Sequence, residues 1–70
     1  MNTVDWSAKG EALGRTHRAA GVSRPVSTMT PVNRVREGLR EELAALAGWD
    51  HEDAVQAAAE GYAKAWEGVQ

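Results

Sequence analysis

The side chains that could support acid–base or metal chemistry are few in this chain and lie far apart. There are two histidines, His17 and His51, and no cysteine. Neither histidine belongs to an H-E-x-x-H pattern, so a metal centre would need carboxylates from unrelated parts of the chain. No glycine-rich loop follows a strand and opens a helix, which argues against a phosphate cradle. We therefore predict no catalytic residue, metal site, cofactor or small-molecule substrate, and expect that the protein is not an enzyme.

Arginine is the more informative residue type, because charge is segregated along the chain. Residues 9–40 carry seven basic and two acidic side chains, whereas residues 41–70 carry one basic and seven acidic ones. Guanidinium groups suit phosphates and carboxylates. The basic segment could therefore contact nucleic acid, an acidic protein surface or this chain's own acidic helix, or it could only be solubilising. The net charge of −2 favours protein over nucleic acid as the partner.

The length of 70 residues predicts one small domain, residues 1–70. Below about 70 to 80 residues a single core rarely contributes more than roughly 3 to 5 kcal/mol. With no disulfide available, we expect help from self-association or from a larger protein partner. No apolar run reaches the roughly 18 to 20 residues that cross a bilayer, so we expect no membrane association and a cytoplasmic location.

The clearest elements are two amphipathic helices in the second half of the chain. The first is predicted over residues 31–47, with Thr30 as its N-cap and proline at the first helical position. Apolar side chains then recur at three- and four-residue steps on one face. Gly48 is predicted to end this helix in a left-handed conformation.

The second helix is predicted over residues 51–68, with Asp50 as its N-cap and Trp49 packed on Ala54 as a hydrophobic staple. So short a connection normally returns the next helix antiparallel to its predecessor. The two helices are therefore expected to form an antiparallel hairpin.

The first third of the chain has a weaker helical pattern. A helix is predicted over residues 5–20, although Gly10 and Gly14 each cost roughly 1 kcal/mol relative to alanine. Their G-x-x-x-G spacing suits either tight helix packing or flexibility. Residues 21–30 are predicted to be an extended basic arm. The fold class is therefore all-α, a C-terminal antiparallel two-helix hairpin with a less stable N-terminal helix and an extended basic linker.

The leading functional hypothesis is a small non-enzymatic protein that docks on a protein assembly or on itself, as phage or mobile-element modulators and accessory subunits do. A segment that cannot stabilise itself is commonly ordered by its partner. The expected contact residues are therefore apolar or basic and precede the hairpin. They are Trp6, Leu13, Arg18, Arg24, Val26 and Met29.

Residues 24–66 also resemble the ribbon-helix-helix family of dimeric DNA-binding proteins. The resemblance lies in a glycine, a capping residue and a buried stripe at the family's spacing. These are Gly48, Asp50, Val55, Ala58, Ala59 and Tyr62. The resemblance implies a dimeric transcriptional regulator or antitoxin, whose ribbon would start near Arg24 and be followed by a helix from Pro31. The candidate nucleic-acid-binding residues are Arg24, Ser27, Thr28, Arg34 and Arg36.

Overall fold

The computed structural model describes residues 4–67, which form four α-helices and contain no strand. The all-α prediction is confirmed for these residues. The helices are α1 (Trp6–Ala19), α2 (Met29–Gly38), α3 (Arg40–Ala44) and α4 (Trp49–Glu67). The predicted end of the last helix at residue 68 lies outside the described residues.

The most extensive helix contact is between α1 and α4. Gly10 is buried, and a Cβ atom added there would lie 1.8 Å from the carbonyl oxygen of Ala58. A Cβ atom at Gly61 would lie 1.9 Å from the carbonyl oxygen of Ser7. The two backbones therefore touch directly at positions where only glycine fits. We call this contact the glycine seam.

The seam continues towards the C-terminal ends of both helices. A Cβ atom at Gly14 would lie 2.7 Å from both the Ala65 side chain and the Tyr62 carbonyl oxygen. Near its start α1 lies beside Asp50 and Ala54 of α4, and near its end Arg18 bonds to the Ala65 carbonyl oxygen. The two helices therefore run roughly parallel. Of the two interpretations of the G-x-x-x-G spacing, tight packing is the one found. The N-terminal third therefore has a packing surface of its own.

Hydrogen bonds define both ends of α1. Asp5 Oδ1 accepts the N–H of Ala8 at 3.1 Å, which is an N-cap interaction. Gly21 has a positive φ of 89° and leads the chain away from the helix. These ends lie close to the predicted range of residues 5–20.

The helix predicted over residues 31–47 is divided at Leu39. There the backbone leaves helical geometry, with φ −110° and ψ 25°, and α3 then ends at Ala44. Hydrogen bonds from Leu39 to Val35 and from Leu43 to Leu39, both 2.9 Å, span the division, which is therefore a kink. All three of these side chains lie in the core, as their spacing predicted, whereas the kink itself was not predicted.

The start of α2 also differs from the predicted one. Ser27 Oγ, rather than Thr30, acts as the cap and accepts the Thr30 N–H at 3.2 Å. The helix consequently begins at Met29, two residues before Pro31. Proline is still tolerated in this first turn, where the N–H groups lack helical partners.

The link between α3 and α4 contains the expected left-handed glycine, Gly48, with φ 56°. This residue precedes α4 directly, and its carbonyl oxygen accepts the N–H of His51 at 3.2 Å. The end of α3 is instead capped by His51, whose Nδ1 donates to the Leu43 carbonyl oxygen at 3.1 Å. His51 is thus a structural cap residue.

The core lies between α2, α3 and the inner face of α4. Its buried members are mostly small or branched side chains. They are Val35, Leu39, Leu43, Ala54, Val55, Ala58, Ala59 and Tyr62. Many of these are alanines, which allow α4 to approach its neighbours closely.

Of the three tryptophans, Trp6 and Trp49 do not occupy the predicted positions. Trp66 and Trp6 are both partly buried and pack against the core. Trp49 is 86% exposed, so it does not form the predicted staple on Ala54. None of the helices within residues 4–67 has the length and apolar character needed to cross a membrane.

Candidate protein-binding surface

The segment between α1 and α2 is positioned by a polar cluster around Tyr62. The Tyr62 side chain is fully buried, and its hydroxyl is hydrogen-bonded to His17 Nδ1 at 2.7 Å and accepts from Arg34 Nη1 at 3.3 Å. Arg34 Nη1 also donates to the carbonyl oxygen of Ser23 at 2.7 Å. One guanidinium therefore joins α2, α4 and the segment that follows α1. Arg34 itself is occupied within the fold.

We call residues 22–28 the arm. Its first amide, that of Val22, donates to the His17 carbonyl oxygen at 2.9 Å. At its other end Ser27 caps α2. The arm has no helix or strand. Although both of its ends are hydrogen-bonded to the fold, Val26 in its middle is 93% exposed. An anchored segment thus holds an apolar side chain in solvent.

The arm forms one wall of a groove whose other wall is α4. The arm side and the start of α2 contribute Arg24, Pro25, Val26, Ser27, Thr28, Pro31 and Val32. The α4 side contributes Gln56, Ala59, Glu60, Ala63 and Glu67. Most of this lining is apolar, and we call it the arm groove.

The charges of the arm groove lie on opposite walls. Arg24 lies on the arm, and Glu60 and Glu67 lie two helical turns apart on α4. Within residues 4–67 the one ion pair joins Arg15 and Glu11, which are neighbours on α1. The basic segment therefore makes no ion pair with α4 in this part of the chain.

The predicted protein-contact residues separate into two groups in the structure. Arg24 and Val26 line the arm groove, and Met29 is 60% exposed at the start of α2. Leu13 packs against the core, and Arg18 Nη1 donates to the Ala65 carbonyl oxygen at 3.1 Å. Trp6, the sixth of the set, packs against the core at the opposite end of α1.

The predicted nucleic-acid residues are also divided. Arg24, Thr28 and Arg36 are exposed. Ser27 and Arg34 make the hydrogen bonds that cap α2 and hold the arm. These two side chains therefore have structural partners within the chain.

Sequence reasoning missed the α4 wall of the arm groove. Three of its residues, Gln56, Glu60 and Glu67, are polar, and a fourth, Ala59, was predicted to be buried. The available signal was the pair of alanines, Ala59 and Ala63, which are four residues apart and leave space between the charged side chains. Their small size is what makes this surface concave.

Among residues 4–67, no three histidine, cysteine, aspartate or glutamate side chains come together as a metal-binding group. Comparisons of the chain with protein-family models, with curated proteins and with solved structures gave no match.

Proposed function

We propose that this chain is a non-enzymatic binding protein that docks a protein partner in the arm groove, as an accessory subunit or modulator of an assembly. In this proposal α2–α3 and α4 form an antiparallel hairpin, and the basic linker before them is the binding element. The observation that carries the proposal is the 93% exposure of Val26 beside an apolar groove.

The energetic argument is the transfer of Val26 from water into an interface. Full burial of a valine side chain contributes about 1.5 to 3 kcal/mol. The arm is already anchored through Ser23 and Ser27, so a partner does not have to order it, and less of this contribution is lost as entropy. Val26 is therefore suited to act as an anchor.

The charges of the groove indicate the character of the partner. A protein segment with an apolar anchor, an acidic side chain near Arg24 and basic side chains near Glu60 and Glu67 would match both walls. Glu60 and Glu67 would repel a phosphate backbone at the same place. This arrangement favours a protein partner over a nucleic acid.

The test compares Val26→Asp with Ala8→Asp in affinity capture from the native cell, followed by identification of the captured protein. Ala8 is exposed in the first turn of α1 and does not line the groove. Its aspartate variant adds the same charge as Val26→Asp. Capture that is lost with Val26→Asp and kept with Ala8→Asp supports the proposal. Equal capture by both variants contradicts it.

Sedimentation of the purified protein distinguishes a foreign partner from a second copy. The proposal predicts a mass near the 7.5 kDa of one chain over a wide concentration range. A dimer that dissociates on Val26→Asp would identify the occupant of the groove as this chain itself.

The second candidate function is a dimeric DNA-binding regulator of the ribbon-helix-helix type. The exposure of Arg24, Thr28 and Arg36 favours it. This candidate predicts duplex binding that falls steeply with added salt and is lost on Arg24→Ala. Failure to retard any duplex at low salt, under conditions where the protein is folded, would exclude it.

A further inference from the structure

A second groove lies between the N-terminal ends of α1 and α4, away from the arm. Its apolar lining is formed by Val4, Trp6, Leu46, Ala54 and Ala57. Four carboxylates also line it, Asp5, Asp50, Asp53 and Glu60, and no lysine or arginine does so among residues 4–67. We call it the acidic groove.

The carboxylates of the acidic groove have no cationic partner in the described part of the chain, where the one ion pair is Arg15–Glu11. The cation nearest in sequence, Lys9, has its Nζ over the ring of Trp6, 5.8 Å from the ring centroid. None of the seven basic residues within 9–40 forms an ion pair with an acidic side chain of α4 in the described residues.

Only some of these carboxylates are explained by their position at the N-terminus of a helix. Asp5 caps α1, and Asp50 lies in the first turn of α4, where a carboxylate is favoured by the helix dipole. Glu60 lies in the middle of α4, where the dipole gives no such benefit. The convergence of these groups around an apolar surface that includes Trp6 is not required by either helix.

Trp49 is an exposed apolar residue that neighbours the groove residues in sequence. It is 86% exposed and lies between Leu46 and Asp50, both of which line the groove. Tryptophan is among the residues that most often dominate binding energy at protein interfaces. Within residues 4–67 this indole is largely unpacked, and it is not itself a lining residue of the groove.

We propose that the acidic groove binds an amphipathic protein segment whose apolar stripe is flanked by lysine or arginine. The apolar side chains would cover Trp6, Leu46 and Ala57, and the cations would lie against the four carboxylates. Complementary charge both accelerates association and selects the partner, because an acidic segment would meet like charge. The acidic groove shares Gln56 and Glu60 with the arm groove but includes no residue of the arm. The inference does not depend on the proposed function.

The test measures binding of synthetic peptides to the full chain by calorimetry in about 50 mM salt, where screening is moderate. The probe is an amphipathic peptide of about 14 residues with leucines on one helical face and lysines on the others. One control peptide replaces the lysines with glutamate, and another replaces the leucines with serine. Only the leucine–lysine peptide is expected to bind.

Variants of the protein then locate the binding site. The double variant Asp50→Asn with Asp53→Asn should weaken binding about three- to tenfold, as expected for two exposed charge pairs. The double variant Glu41→Gln with Glu42→Gln changes the net charge equally but lies outside the groove, and should bind as the original chain does. Should Asp50→Asn with Asp53→Asn reduce helicity, the single variant Asp53→Asn replaces it, because Asp53 lies beyond the first turn of α4 and lines only the acidic groove. About a twofold loss is then expected.

Three results would overturn the proposal. One is no binding of the leucine–lysine peptide, and another is equal binding of the serine–lysine peptide, which would indicate charge attraction alone. The third is an equal loss in the Asp50–Asp53 and Glu41–Glu42 variants. Retained binding by Val26→Ser, which alters only the arm groove, supports the acidic groove as the site.

Discussion

Replacing Gly10 with alanine tests the glycine seam, because the two effects of the substitution have opposite signs. In an ordinary helix interior the change would stabilise the protein by up to about 1 kcal/mol. In this fold the new Cβ atom would lie 1.8 Å from the Ala58 carbonyl oxygen, a backbone atom that no side-chain rotation can move. To restore 3.0 Å, α1 and α4 must separate by about 1.2 Å, a distance at which packing contacts are largely lost.

Overpacking of this kind costs roughly 1 to 3 kcal/mol and occasionally more. Because both contacting groups are backbone, we expect a cost at or above the upper end. After the helix-propensity gain, the net destabilisation of Gly10→Ala should be about 2 kcal/mol. For a domain of this size that lowers Tm by about 8 to 16 °C. Gly61→Ala, whose Cβ atom would lie 1.9 Å from the Ser7 carbonyl oxygen, should behave in the same way.

Urea denaturation followed by far-UV circular dichroism and tryptophan fluorescence measures the effect. Ala12→Gly is the matched control, since Ala12 is exposed on α1 two residues from Gly10, and it should lose only about 1 kcal/mol. The protein should therefore be more stable with glycine than with alanine at position 10, and more stable with alanine than with glycine at position 12. A Gly10→Ala protein as stable as the original, or more stable, would refute direct backbone contact.

Three further substitutions test other parts of the fold. Tyr62→Phe removes a buried hydroxyl that is bonded to two side chains and should cost about 1 to 3 kcal/mol in the free energy of unfolding, measured in urea; no change would mean that the polar cluster adds nothing. Ser27→Ala deletes the cap on the Thr30 amide and should lower stability by about 0.5 to 2 kcal/mol in the same assay, whereas Thr30→Ala should cost less. Trp49→Ala should change Tm little, by the equivalent of about 0.5 kcal/mol or less, because this side chain is 86% exposed; a large drop in a thermal melt would show that it packs after all.

The helices could be predicted because the spacing of apolar residues and the signals that end a helix are both local in sequence. Val35, Leu39 and Leu43 recur at four-residue steps and are all buried. Gly48 has the positive φ expected of a glycine beside a helix end. Such features depend on residues close together in sequence, so they can be predicted from residue type and spacing.

The contacts between helices were harder to predict because they involve residues that are far apart in sequence. Gly10 carries no side chain to signal burial, and its partner Ala58 lies in another helix, so flexibility and close packing have the same local pattern. Trp49 was assigned to a staple by its position before a cap, yet it is exposed. The kink at Leu39 likewise has no signal in the apolar spacing, which continues through it.

The candidate binding surface was predicted in part. Arg24 and Val26 were expected to contact a partner and do line the arm groove. The N-terminal third was expected to lack a packing surface, but α1 packs closely on α4. The exposure of Val26 follows instead from the anchoring of the arm at both ends.

Amide hydrogen exchange on the isolated chain tests most directly whether α1 and α4 form one structural unit that carries an exposed arm. The amides in the middle of α1, around Gly10 and Gly14, should exchange as slowly as those of α4 around Tyr62, because both require the same global unfolding. The amides near Val26 should exchange quickly. Rapid exchange throughout α1 while α4 stays protected would contradict the account.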